Sequence, residues 1–366
     1  MQQAENIMSL WQIGVEAVRG DVAVARAIAD GIVPRPDRII AVGKAAVAMA
    51  KPACDTWPDA PCLIVTKYEH AADAPARARV LEAAHPVPDA ASLTAGRALQ
   101  DQVSACEPGT HLLVLVSGGA SALAEVPSEG LSLTDLMDST NALLASGAPI
   151  AQMNAHRTER SQIKGGKLLA GFGGARITTL ALSDVEGDAL ATIGSGIGDA
   201  PENPAFDFHP YIVASNTIAR NAVAAACTSP VTMNAETLYG DVTDLAPLLS
   251  AQVRAMPAGV MILGGEPVVV LPPNPGKGGR NMALALHLAR EIAGIEGLRI
   301  LVAGTDGTDG PTDAAGGVID GTTWDDSGAD ALARADAYGW LEARGALVKS
   351  GPTGTNVADL LIAIKD

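Results

Sequence analysis

A chain of 366 residues exceeds one ordinary hydrophobic core and suits two. Hydrophobic residues at 48% and charged residues at 18% exclude a disordered polymer, and with aromatics at only 3% the interior must be filled by Ala, Val, Leu and Ile. The 41 acidic against 25 basic residues give a net charge of −16, which argues against nucleic acid and anionic membrane surfaces as partners.

The N-terminus, MQQAENIMSLWQIGVEAVRG, lacks the basic start and apolar core of a secretory leader, and no apolar run reaches membrane-spanning length, so a cytoplasmic protein is expected. Helical apolar spacing over residues 5–31 predicts one helix, closed by Gly31 before the break IVPRP. The runs RIIAVG, CLIVTK, LLVLVSGG and ITTLALSD then alternate with Ala-rich helical stretches, which predicts a parallel sheet covered on both faces. PENPAFDFHPY, with three prolines, interrupts that pattern. Loop composition places a domain boundary between about 225 and 245, taken as residues 1–235 and 236–366. The second part repeats the strand-then-glycine habit in VMILGGEPVVVL, RILVAGTDGTDG and LLIAI. Cys54, Cys62, Cys106 and Cys227 are widely spaced, without metal-site spacing, and are expected to be buried reduced thiols.

Four strand ends carry glycine turns, AVGKAA, VSGGASA, ILGGEP and VAGTDGTDG, and in open α/β sheets ligands gather at such ends, so a shared cleft is expected. Tight turning alone is the ordinary alternative for each. Lys44 follows Gly43, Lys164 and Lys167 flank Gly165–Gly166, and Lys277 and Arg280 bracket Gly278–Gly279. Exposed backbone N–H groups with a nearby cation suit a phosphate, while a solvated surface lysine is the plain alternative. Neither G-x-x-x-x-G-K-[ST] nor a strand-following G-x-G-x-x-G occurs. Asp306, Asp309 and Asp313 in TDGTDGPTDAAGG, and Asp184, Glu186 and Asp188 in LSDVEGD, could hold Mg²⁺ or accept a proton, or merely form Asx turns. In MNAHRTERSQIKGGKLLAG a helix would align Arg157, Ser161 and Lys164 on one face, with Asn154 as a possible cap.

Taken in order, AVGKAAVAMA, HPVPDAAS, LVSGGASALAEVP, IKGGKLLA, LALSDVEGD, ILGGEPVVVL, NPGKGGRN, AGTDGTDGPTDAAGG and SGPTGTNVADLLIAI resemble the type II glycerate kinases, or MOFRL family, some of whose relatives carry the label hydroxypyruvate reductase. The resemblance spans most of the chain from about residue 40. It implies a Rossmann-like N-terminal domain, a smaller α/β MOFRL domain and an active site between them, with ATP- and Mg²⁺-dependent phosphorylation of D-glycerate, usually at the 2-hydroxyl. It implies Lys44, Arg280 and Asp306 as catalytic residues. Nucleotide contacts are expected from Ser117, Gly118, Gly119, Ser121, Lys164, Gly265, Glu266, Lys277 and Gly279. Metal contacts are expected from Asp184 and Asp309, and substrate contacts from Arg157 and Asn281. The partners expected are ATP and a small hydroxy acid, bound by a monomer or homodimer.

Departures from the family pattern are Ala120 in SGGASAL, Ile197 in SGI, Arg160 at a position usually Leu, and Met282–Ala283 at a position usually Gln-Glu. These bear on which acid is bound. Another aldonate as acceptor, a nicotinamide-dependent hydroxypyruvate reductase and a non-catalytic ligand-binding homologue are the alternatives.

Overall fold

The computed structural model describes residues 6–145 and 150–366, so the expected helix start at residue 5 lies outside the described residues. The chain divides into two compact units. The first comprises residues 18–215 with 354–356; the second comprises the N-terminal segment through Ala17, residues 216–353 and residues 357–366.

In the first unit the apolar runs form strands β1 (Arg38–Val42), β2 (Cys62–Lys67), β3 (Arg79–Ala83), β4 (His111–Val116), β5 (Arg176–Leu182) and β6 (Asp207–Ala214). They lie in the order β3-β2-β1-β4-β5-β6, and every pairing is parallel. This is the doubly wound order of Rossmann folds. β4 is buried along its whole length, as its unbroken HLLVLV predicts. Two strands escaped the sequence reading. β3, RVLEA, carries charges because it is an edge strand, and β6 lies inside the proline-rich segment read as an interruption. β6 tolerates Pro210 because it too is an edge, where a missing N–H leaves no neighbouring strand unpaired.

The second unit holds β7 (Val231–Glu236), β8 (Gly240–Asp241), β9 (Gly259–Gly265), β10 (Pro267–Val268), β11 (Leu298–Gly304), β12 (Gly316–Asp320), β13 (Leu347–Val348) and β14 (Asp359–Lys365). Its main sheet runs β13-β12-β11-β14-β9-β7 and is mixed: only β7 and β9 are parallel. β8 and β10 form a separate small pair.

The single N-terminal helix expected over 5–31 is two helices, Ile7–Ala17 and Gly20–Ala29. The first packs into the second unit so closely that a Cβ at Gly14 would lie 2.8 Å from Val223 and 3.2 Å from Leu360. Where loop composition set the changeover near residue 235, compactness sets it at Ser215/Asn216, because the helix Asn216–Ala226 packs with β7 and β9. Both cores are built mainly of Ala, Val, Leu and Ile, as the scarcity of aromatics requires. The four cysteines are free thiols; Cys62 and Cys106 are buried, while Cys54 and Cys227 are only partly covered. Among the described residues no helix is long and apolar enough to cross a membrane.

Candidate active site

The order of the first sheet places a topological switch point between β1 and β4, where successive connections leave the sheet in opposite directions and open a crevice at the strands' carboxyl ends. The two glycine turns read from sequence meet there. Gly43 ends β1 at φ 131°, and a Cβ on it would collide with Ser117 Oγ and lie 2.6 Å from the Ser117 carbonyl oxygen. Only glycine permits that approach. The turns are then tied: Lys44 N–H donates to Gly118 O (2.9 Å), and Ala45 N–H donates to the buried Ser117 hydroxyl (3.1 Å). Ser117 is therefore a strut between the loops. Gly119, left-handed at φ 83°, would place a Cβ 3.1 Å from both Lys44 Cγ and His85 Cδ2, so lysine, imidazole and glycine turn are packed together.

His85 was missed by sequence reasoning, although HPVPD was noted. Burial, reinforced by Lys44 and Lys67, pushes its imidazole down to about 3, so the ring is neutral at physiological pH. Asp184, just past β5, lies directly over Gly118, where a Cβ would strike its carboxylate. Among the described residues no three His, Cys, Asp or Glu side chains converge as a metal cage. Mg²⁺ commonly needs only one or two carboxylates beside substrate phosphates. Asp184, held against the glycine turn, fits that role.

Next to this turn lies a cavity lined by Ser121, Glu125, His156, Arg157, Arg160 and Lys164, among others. Ser121 Oγ bonds Ser195 Oγ (2.8 Å), which in turn donates to Asn154 Oδ1 (3.0 Å); Asn154 thus serves this chain of hydroxyls. Lys164 is not a free cation: it is 2% exposed and ion-paired with the equally buried Glu125, which also accepts from Ser161 Oγ. Burial draws the Lys164 ammonium below its ordinary value while Glu125 pulls the other way. Glu125 gave no signal in LAEVP beyond being the one acid in an apolar run. The IKGGK segment is likewise not a phosphate cradle. Gly165 and Gly166 N–H groups donate to Ser195 O and Gly196 O, and Lys167 Nζ donates to Thr158 O and Ser161 O.

In the second unit, Gly279 precedes the helix Arg280–Glu291, and the acceptor at that helix N-terminus belongs to the chain itself. Asp309 accepts from Met282 N–H (2.8 Å), and a Cβ on Gly279 would strike its carboxylate. The glycine thus makes room for Asp309. Burial raises the Asp309 carboxyl to about 7 despite these backbone donors. Its oxygens cap a helix, which suits a metal ligand poorly. Lys277 places its ammonium 3.6 Å from the centre of the Tyr338 ring.

Arg280 is clamped. Its Nε donates to Asp359 Oδ2 (2.7 Å), Nη2 to Asp359 Oδ1 (3.3 Å) and Nη1 to Glu266 Oε1 (2.6 Å). Asp359, 2% exposed at the start of β14, was not singled out in sequence; the only hint was an acid opening the apolar strand DLLIAI. Gly304, ending β11, would place a Cβ 3.3 Å from both Asp306 Oδ1 and Asp359 Oδ1, so these carboxylates share one corner. Asp306 Oδ1 also accepts from Thr308 N–H (2.9 Å) in an Asx turn. Asn281 is 1% exposed, and its Oδ1 has no partner among the described residues. Such an orphaned acceptor is rare in a native interior and suits an absent donor. Gly265 is structural: at φ 141°, its Cβ would meet Leu238 O at 2.8 Å.

Comparison with known proteins divides the chain between residues 226 and 259, later than the Ser215/Asn216 changeover of the compact units. Residues 6–226 match the model of a domain of unknown function, DUF4147, and residues 259–359 match the MOFRL family. A D-glycerate 2-kinase of Thermotoga maritima is 36% identical, the alignment covering 90% of this chain and 91% of that one. A protein of Agrobacterium vitis provisionally named a hydroxypyruvate reductase is 35% identical, over 88% of this chain and 97% of its own. The crystal structure of a Thermotoga maritima glycerate kinase superposes with a TM-score of 0.88 at 31% identity, covering 98% of each chain.

Proposed function

The chain belongs to the glycerate-kinase family that joins a DUF4147 domain to a MOFRL domain, and from that premise we propose that it transfers the terminal phosphoryl group of ATP, with Mg²⁺, to a hydroxyl of a small hydroxy acid. D-Glycerate, converted to 2-phosphoglycerate, is the acceptor that the relatives' names suggest.

The observation that carries the reading is the switch point of the first sheet, where Lys44 stands between two interlocked glycine turns. Phosphoryl transfer asks little covalent chemistry of a protein; alignment and neutralisation of charge on the transferring oxygens provide most of the rate. Lys44 supplies positive charge beside backbone that phosphates can approach. Bound Mg²⁺ would neutralise phosphate oxygens, with Asp184 as its protein ligand. Arg280, fixed by Asp359 and Glu266, offers a rigid guanidinium, and Asp306 serves to orient or deprotonate the attacking hydroxyl. Arg157 pairs with the acid's carboxylate, and Asn281 Oδ1 accepts from a substrate hydroxyl.

The test is to incubate purified protein with Mg-ATP and a panel of hydroxy acids, follow ADP release and assign the product by phosphorus NMR. ADP release with one phosphorylated acid is expected; none across the panel would sink the proposal. Nicotinamide-dependent reduction of hydroxypyruvate is the second reading, favoured by the dinucleotide-type strand order and by the Agrobacterium relative's name. VGKAAV after β1 lacks the glycine spacing that receives a pyrophosphate, so no loss of absorbance at 340 nm is expected.

A further inference from the structure

Two of the four thiols meet far from the crevice. Cys54 lies in the last turn of the helix Ala46–Thr56, Cys62 opens β2, and only residues 57–61 connect them. The helix packs on β2, so the pair stands at the amino end of the parallel strands, opposite the Lys44 turn. Both cysteines line one open pocket of about 450 Å³, walled also by Lys51, Pro58 and residues 73–78. There the Cys62 S–H donates to the Cys54 sulfur. That bond holds the Cys54 thiol below its ordinary value, against burial and Asp55, whereas the same bond and burial push Cys62 up. The partly covered sulfur is thus the one favoured as thiolate, and the buried one keeps its proton. The remaining two thiols differ: Cys106 donates to Gln102 O and Cys227 to Val223 O, each a helix carbonyl four residues back.

We propose that Cys54 and Cys62 form a thiol-modification site for small disulfides, with Cys54 as the attacking sulfur and Cys62 as the resolving one. In the first step the Cys54 thiolate attacks a disulfide RS–SR in the pocket. A bond forms between Cys54 and one sulfur, the RS–SR bond breaks, and RS⁻ leaves and takes up the proton that Cys54 had released to solvent. In the second step Cys62 gives its proton to solvent and its sulfur attacks Cys54 Sγ. The Cys54–Cys62 disulfide forms and the second RS⁻ leaves, taking up that proton. Two protein thiols are oxidised by two electrons, and the incoming disulfide is reduced to two thiols. Because the sulfurs already touch through a hydrogen bond, the closing step needs little movement, and the open pocket gives both leaving groups a way out. The site is separate from the phosphoryl-transfer reading and stands or falls without it.

The experiment treats the whole native protein with glutathione disulfide, quenches it at intervals with iodoacetamide under denaturing conditions, and digests it with trypsin without reduction. Pro52 protects the bond after Lys51, so cleavage after Lys44 and Lys67 leaves both cysteines on one peptide, residues 45–67. The expected result is loss of two hydrogens from that peptide, reversed by dithiothreitol, at a rate at least about tenfold above modification of Cys106 or Cys227. In Cys62→Ser the reaction is expected to stop at a stable glutathione adduct on Cys54, and in Cys54→Ser Cys62 is expected to remain unmodified. In urea the advantage of Cys54 over Cys227 should vanish, because the fold supplies it. Equal rates at Cys54 and Cys227 in the native protein overturn the proposal, as does an advantage that persists in urea. An adduct that stays on Cys54 of the wild type without closing removes the resolving role of Cys62 and overturns it too. If a serine variant fails to fold, the comparison of Cys54 with Cys227 within the wild type still decides the question.

Discussion

Removing the Lys164 ammonium puts the buried ion pair to its most direct test. In Lys164→Met the side chain keeps its length and apolar body, and Glu125, 3% exposed, keeps its hydrogen bonds from Ser161 Oγ and Val126 N–H but loses its ion-pair partner. Breaking a buried pair from one side costs about 3–5 kcal/mol, because the remaining charge stays out of water without its partner. For a unit of roughly 200 residues, a kcal/mol moves the melting temperature by about 2–4 °C, so a fall of about 6–20 °C is expected. Replacing both partners, in Glu125→Leu/Lys164→Met, removes the orphaned charge as well as the attraction and should recover more than half of that loss. Urea unfolding of the wild type, both single variants and the double variant gives the coupling energy, expected to be at least about 2 kcal/mol. If Lys164→Met costs less than about 1 kcal/mol, or the double variant loses the sum of the singles, the pair is not the closed structural unit described above.

Asp309 ties stability to pH. Its folded-state carboxyl is raised from 3.8 to about 7, so the native state holds a proton that the unfolded chain has already released. The stabilisation is complete below the unfolded value and is lost as pH rises through about 7, on the order of 4 kcal/mol in all. Urea unfolding from pH 5 to pH 8 should show the wild type weakening relative to Asp309→Asn, which still accepts from Met282 N–H; equal losses in the two proteins would refute the assignment. Asp359→Asn removes the charge that orients Arg280, and a fall in kcat of about 10–100-fold with a smaller change in KM is expected from steady-state kinetics. A kcat within about threefold of the wild type would show that Arg280 needs no such support.

What could be read from the chain was local. RIIAVG, LLVLVSGG and VMILGG announce buried strands because an unbroken apolar run is a property of neighbouring residues, and the turns that end them announce themselves through glycine. From these the Rossmann-like first sheet and the loops at Lys44 and Ser117 followed. Edge strands were harder: β3 carries charge and β6 carries Pro210, because a strand with one free side need not look like the sheet's interior. Only tertiary structure decided that the second sheet is mixed, since strand direction depends on where each connection returns. Charge pairing was also beyond the sequence. Lys164 beside two glycines looks like a phosphate ligand until Glu125, 39 residues away, is found against it. NPGKGGRN looks like an anion site, but its helix N-terminus is taken by the chain's own Asp309 carboxyl, and the partner of its arginine is Asp359, 79 residues along the chain. A charged side chain's role is set by what neutralises it and how far it is removed from water, and both depend on residues that only folding brings near.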